Sequence, residues 1–304
     1  MVSAKPVKIL PHRHQLFLFL LFTSCLIFWA PLRDVITLAL RDERYAHILA
    51  VPFVCAALIY YENRNRLATA APRRGIGVLF ASCGCGLLAA SRIWGAWVGS
   101  LSFAIAGLAL VWIGLFNSCY GTRKVSRFVS VAWLLLFLMV PVPGAILDKV
   151  VAALQIGSAE VAYRLFRLVG VPVFRHGTVM SLPGLELEVA PQCSGIRSTM
   201  ALLVTGIVLA EISLRSGWAK LLVILCVGPI GMLRNAIRIA TITLMGIYVN
   251  KSFLFGNLHR RGGLLFGVIG FAILIPIVWL LRRYELRAES ARANLTISCS
   301  ASNT

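Results

Sequence analysis

Leu185-Glu186-Leu187-Glu188-Val189-Ala190-Pro191-Gln192-Cys193-Ser194-Gly195-Ile196-Arg197-Ser198 carries a strand, a corner and a helix start in one short run. Leu185, Leu187 and Val189 alternate with Glu186 and Glu188, the period of two of a half-exposed strand. Pro191 has no N–H to give a ladder and ends the alternation. Cys193-Ser194-Gly195 is a small, polar corner, and an apolar run begins at Ile196 and reaches Ile212. The corner therefore sets a thiol at the mouth of a membrane helix, beside Arg197, where water can reach it. A thiol is a useful nucleophile only as thiolate, and a helix N-terminus and nearby cations favour that form. The competing reading is a small apolar filler, as most membrane cysteines are.

Outward from that corner, the composition is that of a membrane protein. Apolar residues make up 59% of the 304 and charged residues 13%, which excludes a soluble domain. Successive apolar runs of roughly 16 to 20 residues predict an all-α, polytopic architecture. A net charge of +19 raises nucleic acid as a partner. The basic residues, however, lie in short clusters between apolar runs, the pattern of loops facing cytoplasm and anionic lipid, so no nucleic acid is expected. The eight cysteines form no framework: Cys25, Cys55, Cys83, Cys85, Cys119 and Cys226 lie in or beside apolar runs, and Cys299 lies in a polar tail. Cys83 and Cys85 lack the partner spacing of a zinc site, and neither a metal nor a cofactor is expected. No small-residue cleavage site follows Trp29-Ala30-Pro31, so the N-terminal apolar stretch reads as a retained span.

Charge asymmetry orders eight spans with both ends inside. Lys5, Lys8 and Arg13 precede the first, about Gln15 to Leu32; the second covers about Ala46 to Tyr61 and ends at Arg64, Arg66, Arg73 and Arg74. The third and fourth cover about Gly75 to Ala90 and Trp97 to Phe116, and the fifth, about Phe128 to Val140, stops at Pro141-Val142-Pro143-Gly144. Ala145 to Val169 has helical apolar spacing interrupted by Asp148, Gln155, Glu160, Arg164 and Arg167, which predicts an amphipathic helix on the outer surface. A small β-hairpin with its turn at Pro183-Gly184 follows, then span six from Ile196 to Ile212. Trp218 to Val249 is long for one span, and a break at Gly228-Pro229-Ile230-Gly231 or an outer extension would absorb the excess. Span eight covers about Gly263 to Leu281. Residues 1–284 then form the membrane domain, and residues 285–304 a polar, disordered cytoplasmic tail. The basic loop around His259-Arg260-Arg261 departs from positive-inside if it is external.

Arg234-Asn235-Ala236-Ile237-Arg238 lies within the seventh span. Arg234 and Arg238 are four apart and Asn235 and Arg238 three apart, so they share a helix face. Arginine at membrane depth costs several kcal/mol, so such a pair usually faces a wet cavity; snorkelling at a helix end is the alternative. His259 by itself reads as a loop residue. Together, Cys193, Arg238 and His259 come from three segments and lie toward one leaflet. A sulfur nucleophile, an imidazole for protons and a guanidinium for an oxyanion are the parts of acyl transfer. Asp42, Glu43 and Glu188 are all open as carboxylate partners for His259, and Glu211 reads as a snorkelling residue.

These motifs resemble the exosortase/archaeosortase family of polytopic membrane cysteine transpeptidases, over about Arg41 to Ile273. The resemblance rests on Pro141-Val142-Pro143-Gly144, Leu154-Gln155, Gly170-Val171-Pro172-Val173, Val189-Ala190-Pro191-Gln192-Cys193-Ser194-Gly195-Ile196-Arg197, Asn235-Ala236-Ile237-Arg238-Ile239, and His259 followed by Gly262-Gly263-Leu264. Histidine at the third position is similar to the bacterial branch. Tyr45-Ala46-His47-Ile48 matches the family's Ser-His-Gly only in part. The resemblance implies Cys193 as nucleophile with Arg238 and His259 completing the triad, in a bacterial inner membrane with the site toward the periplasm. It implies as substrates exported proteins ending in a Pro-Glu-Pro motif, one membrane helix and a basic cluster, with exopolysaccharide machinery as a further partner. Arg197, Arg234 and Asn235 are the expected substrate-binding residues, Arg234 or Arg197 reading the motif's glutamate. A membrane cysteine protease with water as acceptor stays open, as does a transporter or polysaccharide-export component.

Overall fold

Apolar segments in lipid must close their own backbone hydrogen bonds, and this chain does so as helices. The computed structural model describes residues 11–63, 73–93, 99–121, 127–250 and 263–301. His259 and the loop around it lie outside the described residues. Two compact units divide the chain, Met1–Ile146 and Leu147–Thr304.

The first unit holds α1 (Pro11–Ile27), α2 (Trp29–Arg41), a 3₁₀ turn (Glu43–Leu49), α3 (Val51–Asn63), α4 (Arg74–Ile93), α5 (Ser100–Tyr120) and α6 (Arg127–Phe137). The first predicted span is not straight: α1 and α2 meet at 78°. Pro31 is the physical cause, because its ring clashes with the carbonyl of residue 27 and it has no N–H to bond it. Gly77 and Gly84 of α4 sit against Gly114 and Gly107 of α5, so closely that a Cβ on Gly84 would lie 2.4 Å from the Gly107 carbonyl. Small residues let helix backbones touch, the main source of association where the solvent is itself apolar. The prolines that end α6 strand carbonyls, and side chains recover two of them: Ser102 Oγ donates to Pro141 (2.6 Å) and Tyr45 Oη to Val142 (2.9 Å). With 11 residues, α6 covers about 16 Å of a core of about 30 Å. Among the described residues six helices are long and apolar enough to cross a membrane, or seven if α1 and α2 form one bent span. The described helices thus account for six or seven of the eight expected spans, and the all-α membrane class stands.

The second unit contains the amphipathic helix α7 (Gly144–Leu168), strands β1 (Phe174–His176), β2 (Val179–Leu182) and β3 (Leu185–Glu188), then α8 (Ile196–Ser213), α9 (Gly217–Tyr248) and α10 (Gly263–Ala301). The expected hairpin gains a third strand, because Gly177 (φ +63°) makes a second tight turn. The sheet is antiparallel in the order β1-β2-β3, with β3 at its edge. Helix α9 runs unbroken through Pro229, so the expected break at Gly228-Pro229-Ile230-Gly231 does not form. Its first half packs Val223, Val227 and Ile230 against Leu202 and Ala210 of α8 and Leu274 of α10. Its second half packs Ala236 and Ala240 against Ala159, Ala162 and Phe166 of α7 and Met180 and Leu182 of β2. One helix thus joins an apolar bundle to a small α/β layer, and the site lies where the two meet.

The opposite end of the bundle is tied by charge. Glu211 is 5% exposed and accepts from Lys220 Nζ at 2.6 Å, so it is a buried ion pair rather than a snorkelling group. The tail read as disordered is instead the continuation of α10 to Ala301. Its Glu285 accepts from Ser216 Oγ (2.6 Å) and from the Arg215 and Ser216 N–H groups, while Glu289 pairs with Arg215. Those partners, remote in sequence, are why local composition misread the segment. Glu211→Leu is expected to lower stability in detergent by about 3 kcal/mol, since it strands a charge, and Glu211→Leu with Lys220→Met to recover most of the loss. Equal unfolding temperatures for the single variant and the parent would contradict a buried pair.

Candidate active site

The corner is built by three local devices. Gln155 of α7 donates Nε2–H to the Val189 carbonyl at 2.5 Å, pinning the end of β3 to α7. Pro191–Cys193 then form one 3₁₀ turn, in which the Cys193 N–H donates to the Ala190 carbonyl (2.8 Å). Gly195 adopts φ +76°, a left-handed conformation that costs other residues about 1–2 kcal/mol, and redirects the chain into α8. No side chain caps the first turn of α8, whose N-terminus, the positive end of its dipole, begins three residues after Cys193.

Helix α9 grips this corner from beneath. Asn235 Nδ2 donates to the Cys193 carbonyl at 2.6 Å, and Arg234 Nη2 donates to the Gly195 carbonyl at 3.3 Å. Both are buried, Asn235 at 1% and Arg234 at 4% exposure. The fit is tight: a Cβ on Gly195 would lie 3.0 Å from Arg234 Nη2 and 3.0 Å from Asn235 Cγ. One turn lower, a Cβ on Gly231 would lie 2.5 Å from Thr199 Oγ1, so α8 and α9 touch there as well. Asn235 Oδ1 and Ser194 Oγ are buried and find no hydrogen-bond partner among the described residues.

Above the corner lies a cavity of about 300 Å³. Its lining comprises Leu185 to Val189, Cys193, and Asn235, Arg238, Ile239, Ile242 and Thr243 of α9. The structure therefore brings Cys193, Asn235 and Arg238 together around one space, with both thiol and guanidinium half-buried. Arg197 is exposed on the first turn of α8, and Arg234 is held below the corner; neither lines the cavity. Arg234 thus supports the thiol's backbone, whereas Arg238, one turn further along α9, faces the cavity. Of the three carboxylates open as partners for His259, Glu188 lines the cavity. Asp42 instead caps the 3₁₀ turn and is gripped by Arg44 (Nε to Oδ2, 2.8 Å), whose guanidinium holds that carboxyl below the usual carboxylate range. Among the described residues no group of three His, Cys, Asp or Glu is placed to hold a metal ion. Gln155, Glu186, Ile239, Ile242 and Thr243 are site residues that the motif reading did not assign. Their signal was faint, since only a tertiary fold brings α7, β3 and α9 to one corner.

A family model described as transmembrane exosortase matches residues 37–278, most of the chain and all of this corner. No curated protein and no solved structure matches it.

Proposed function

From the premise that the chain belongs to the transmembrane exosortase family, we propose that it is a membrane transpeptidase that cleaves the C-terminal sorting tail of exported proteins. The observation that carries this reading is the cavity shared by Cys193 and Arg238. A thiol and a guanidinium around one space are parts needed to form and stabilise a tetrahedral oxyanion. In this scheme Cys193 Sγ, as thiolate, attacks a peptide carbonyl near the Pro-Glu-Pro motif. The oxyanion forms against Arg238. The C–N bond then breaks, the departing amine takes a proton from His259, and the protein remains as a thioester on Cys193. An acceptor amine attacks that thioester and gives up its proton to the imidazole, and Cys193 leaves as the thiolate, which restores the starting thiolate–imidazolium pair. Arg197, exposed at the rim, is the group assigned to the motif's glutamate. The substrate's membrane helix would run beside α8, with its basic cluster on the cytoplasmic side of a bacterial inner membrane and the cavity facing the periplasm. A protease with water as acceptor uses the same residues, and the product distinguishes the two.

The test is to incubate the full chain in lipid nanodiscs with a protein bearing such a tail, with and without hydroxylamine, and weigh the new C-terminus. A hydroxamate or acceptor adduct is the expected result. A hydroxamate with hydroxylamine reports the thioester; without it, a free carboxylate identifies the protease, and an uncut substrate overturns the reading.

A further inference from the structure

The cavity touches every residue of β3 in succession, and that pattern has a geometric meaning. Successive side chains of a strand point to opposite faces, so a space lined by Leu185, Glu186, Leu187, Glu188 and Val189 runs along the strand's edge. The edge is unpaired by the sheet, because β3 is last in the order β1-β2-β3. Which backbone groups face outward follows from the ladder. The two-residue turn Pro183-Gly184 is closed by Leu182 opposite Leu185, and the Val189 N–H donates to the Thr178 carbonyl (3.0 Å). Hydrogen-bonded pairs alternate along an antiparallel ladder, so Leu185, Leu187 and Val189 bond toward β2. Glu186 and Glu188 therefore direct N–H and C=O into the cavity. The Glu188 carbonyl accepts from Ala190 N–H (3.1 Å), which leaves the Glu186 N–H and C=O and the Glu188 N–H without a backbone partner among the described residues.

An unpaired edge beside a nucleophile is a template for an extended chain. Resting on the transpeptidase reading above, we propose that the substrate polypeptide docks by strand addition to β3, pairing its backbone with Glu186 and running on to Cys193. The opposite wall of the groove is α9, and its Ile239 and Ile242 are apolar, so alternate substrate residues meet an apolar surface. The intervening residues meet the exposed carboxylates of Glu186 and Glu188, which disfavour an acidic side chain at those positions. Backbone pairing supplies affinity and the two faces supply selectivity, so the edge makes the groove specific for a peptide rather than a glycan or lipid.

The test uses the full chain in nanodiscs and a synthetic peptide containing a Pro-Glu-Pro segment, methylated in turn on each backbone amide that carries a hydrogen. Binding is read on the Cys193→Ala protein and cleavage on the unsubstituted one. Strand addition predicts a period of two: methylation at one set of alternate amides weakens binding by about tenfold or more, and at the other set changes it little. A protein-side variant should agree. Glu186→Pro removes an outward N–H but no bond to β2, a position where an edge strand tolerates proline. Relative to Glu186→Ala it should bind the peptide about tenfold more weakly while unfolding at a similar temperature. Cleavage of the peptide with no periodic effect of methylation, or with Glu186→Pro matching Glu186→Ala, overturns edge docking and leaves the transpeptidase reading standing. Failure of the unsubstituted protein to cleave any of the peptides overturns both.

Discussion

Cys193→Ala is expected to reduce processing of a tailed substrate to background, a loss of at least about 10⁴-fold, in a protein that still inserts and folds. The two halves of that expectation come from different atoms. The chemistry resides in Sγ, which alanine lacks. The architecture resides in the Cys193 N–H and C=O, which bond Ala190 and Asn235 and which alanine keeps. Little stability is at stake, because the side chain is only partly buried at the edge of the α7–sheet core. Arg238→Ala should cost about 10²–10³-fold, less than loss of the sulfur, because that is what removal of one oxyanion donor costs. Arg238→Lys should recover only part of it, because a lysine cannot present the planar fork. A transporter that binds an anion with its arginines gives the opposite pattern, in which Cys193→Ser works normally and Arg238→Ala does not. Processing measured by gel shift and mass spectrometry on both variants discriminates the two, and a fully active Cys193→Ser protein would remove the nucleophile from the scheme.

Gly195→Ala tests the corner rather than the sulfur. At φ +76° a side chain is strained by about 1–2 kcal/mol before any contact is considered. The new methyl would also press on Arg234 Nη2 and Asn235 Cγ, each 3.0 Å away, the two side chains that hold the corner's carbonyls. Both are buried and enclosed, so neither can swing aside cheaply. The backbone of residues 193–195 must shift instead, and a displacement of about 1 Å at a reacting atom is worth about 10²-fold in rate. The expected result is a folded protein with a modestly lower unfolding temperature and processing reduced about 100-fold. The fall should appear in kcat more than in KM, because the groove along β3 is untouched. Wild-type turnover by Gly195→Ala would show that the grip of α9 on the corner is irrelevant to the chemistry.

Much of this was legible in the residues, and the reason is periodicity. Alternation named β3, Pro191 ended it, and an apolar run after Gly195 could only be a helix in lipid, so the position of Cys193 at a helix mouth was readable at once. The 25 residues of α7 declared themselves amphipathic by charges too frequent for a span. The spacing of Arg234, Asn235 and Arg238 placed all three on one side of α9. What periodicity cannot express is which of three neighbours on a face meets which partner. Arg234 and Asn235 donate to the Gly195 and Cys193 carbonyls, and of α9's polar face Asn235 and Arg238 line the cavity while Arg234 does not.

The residue pattern by itself determined that this chain is a bundle of membrane helices with a thiol at one helix entrance, because burial in lipid leaves the backbone no other way to bond. Three things were decided only by tertiary contact: the bearing of the polar end of α10 on the α8–α9 turn, the tie from Gln155 to Val189, and the groove formed by the free edge of β3 against α9. Each joins groups far apart in the chain through a few hydrogen bonds or a single packed face. Such contacts leave no period in a sequence, and they exist only once the helices have brought their partners within reach.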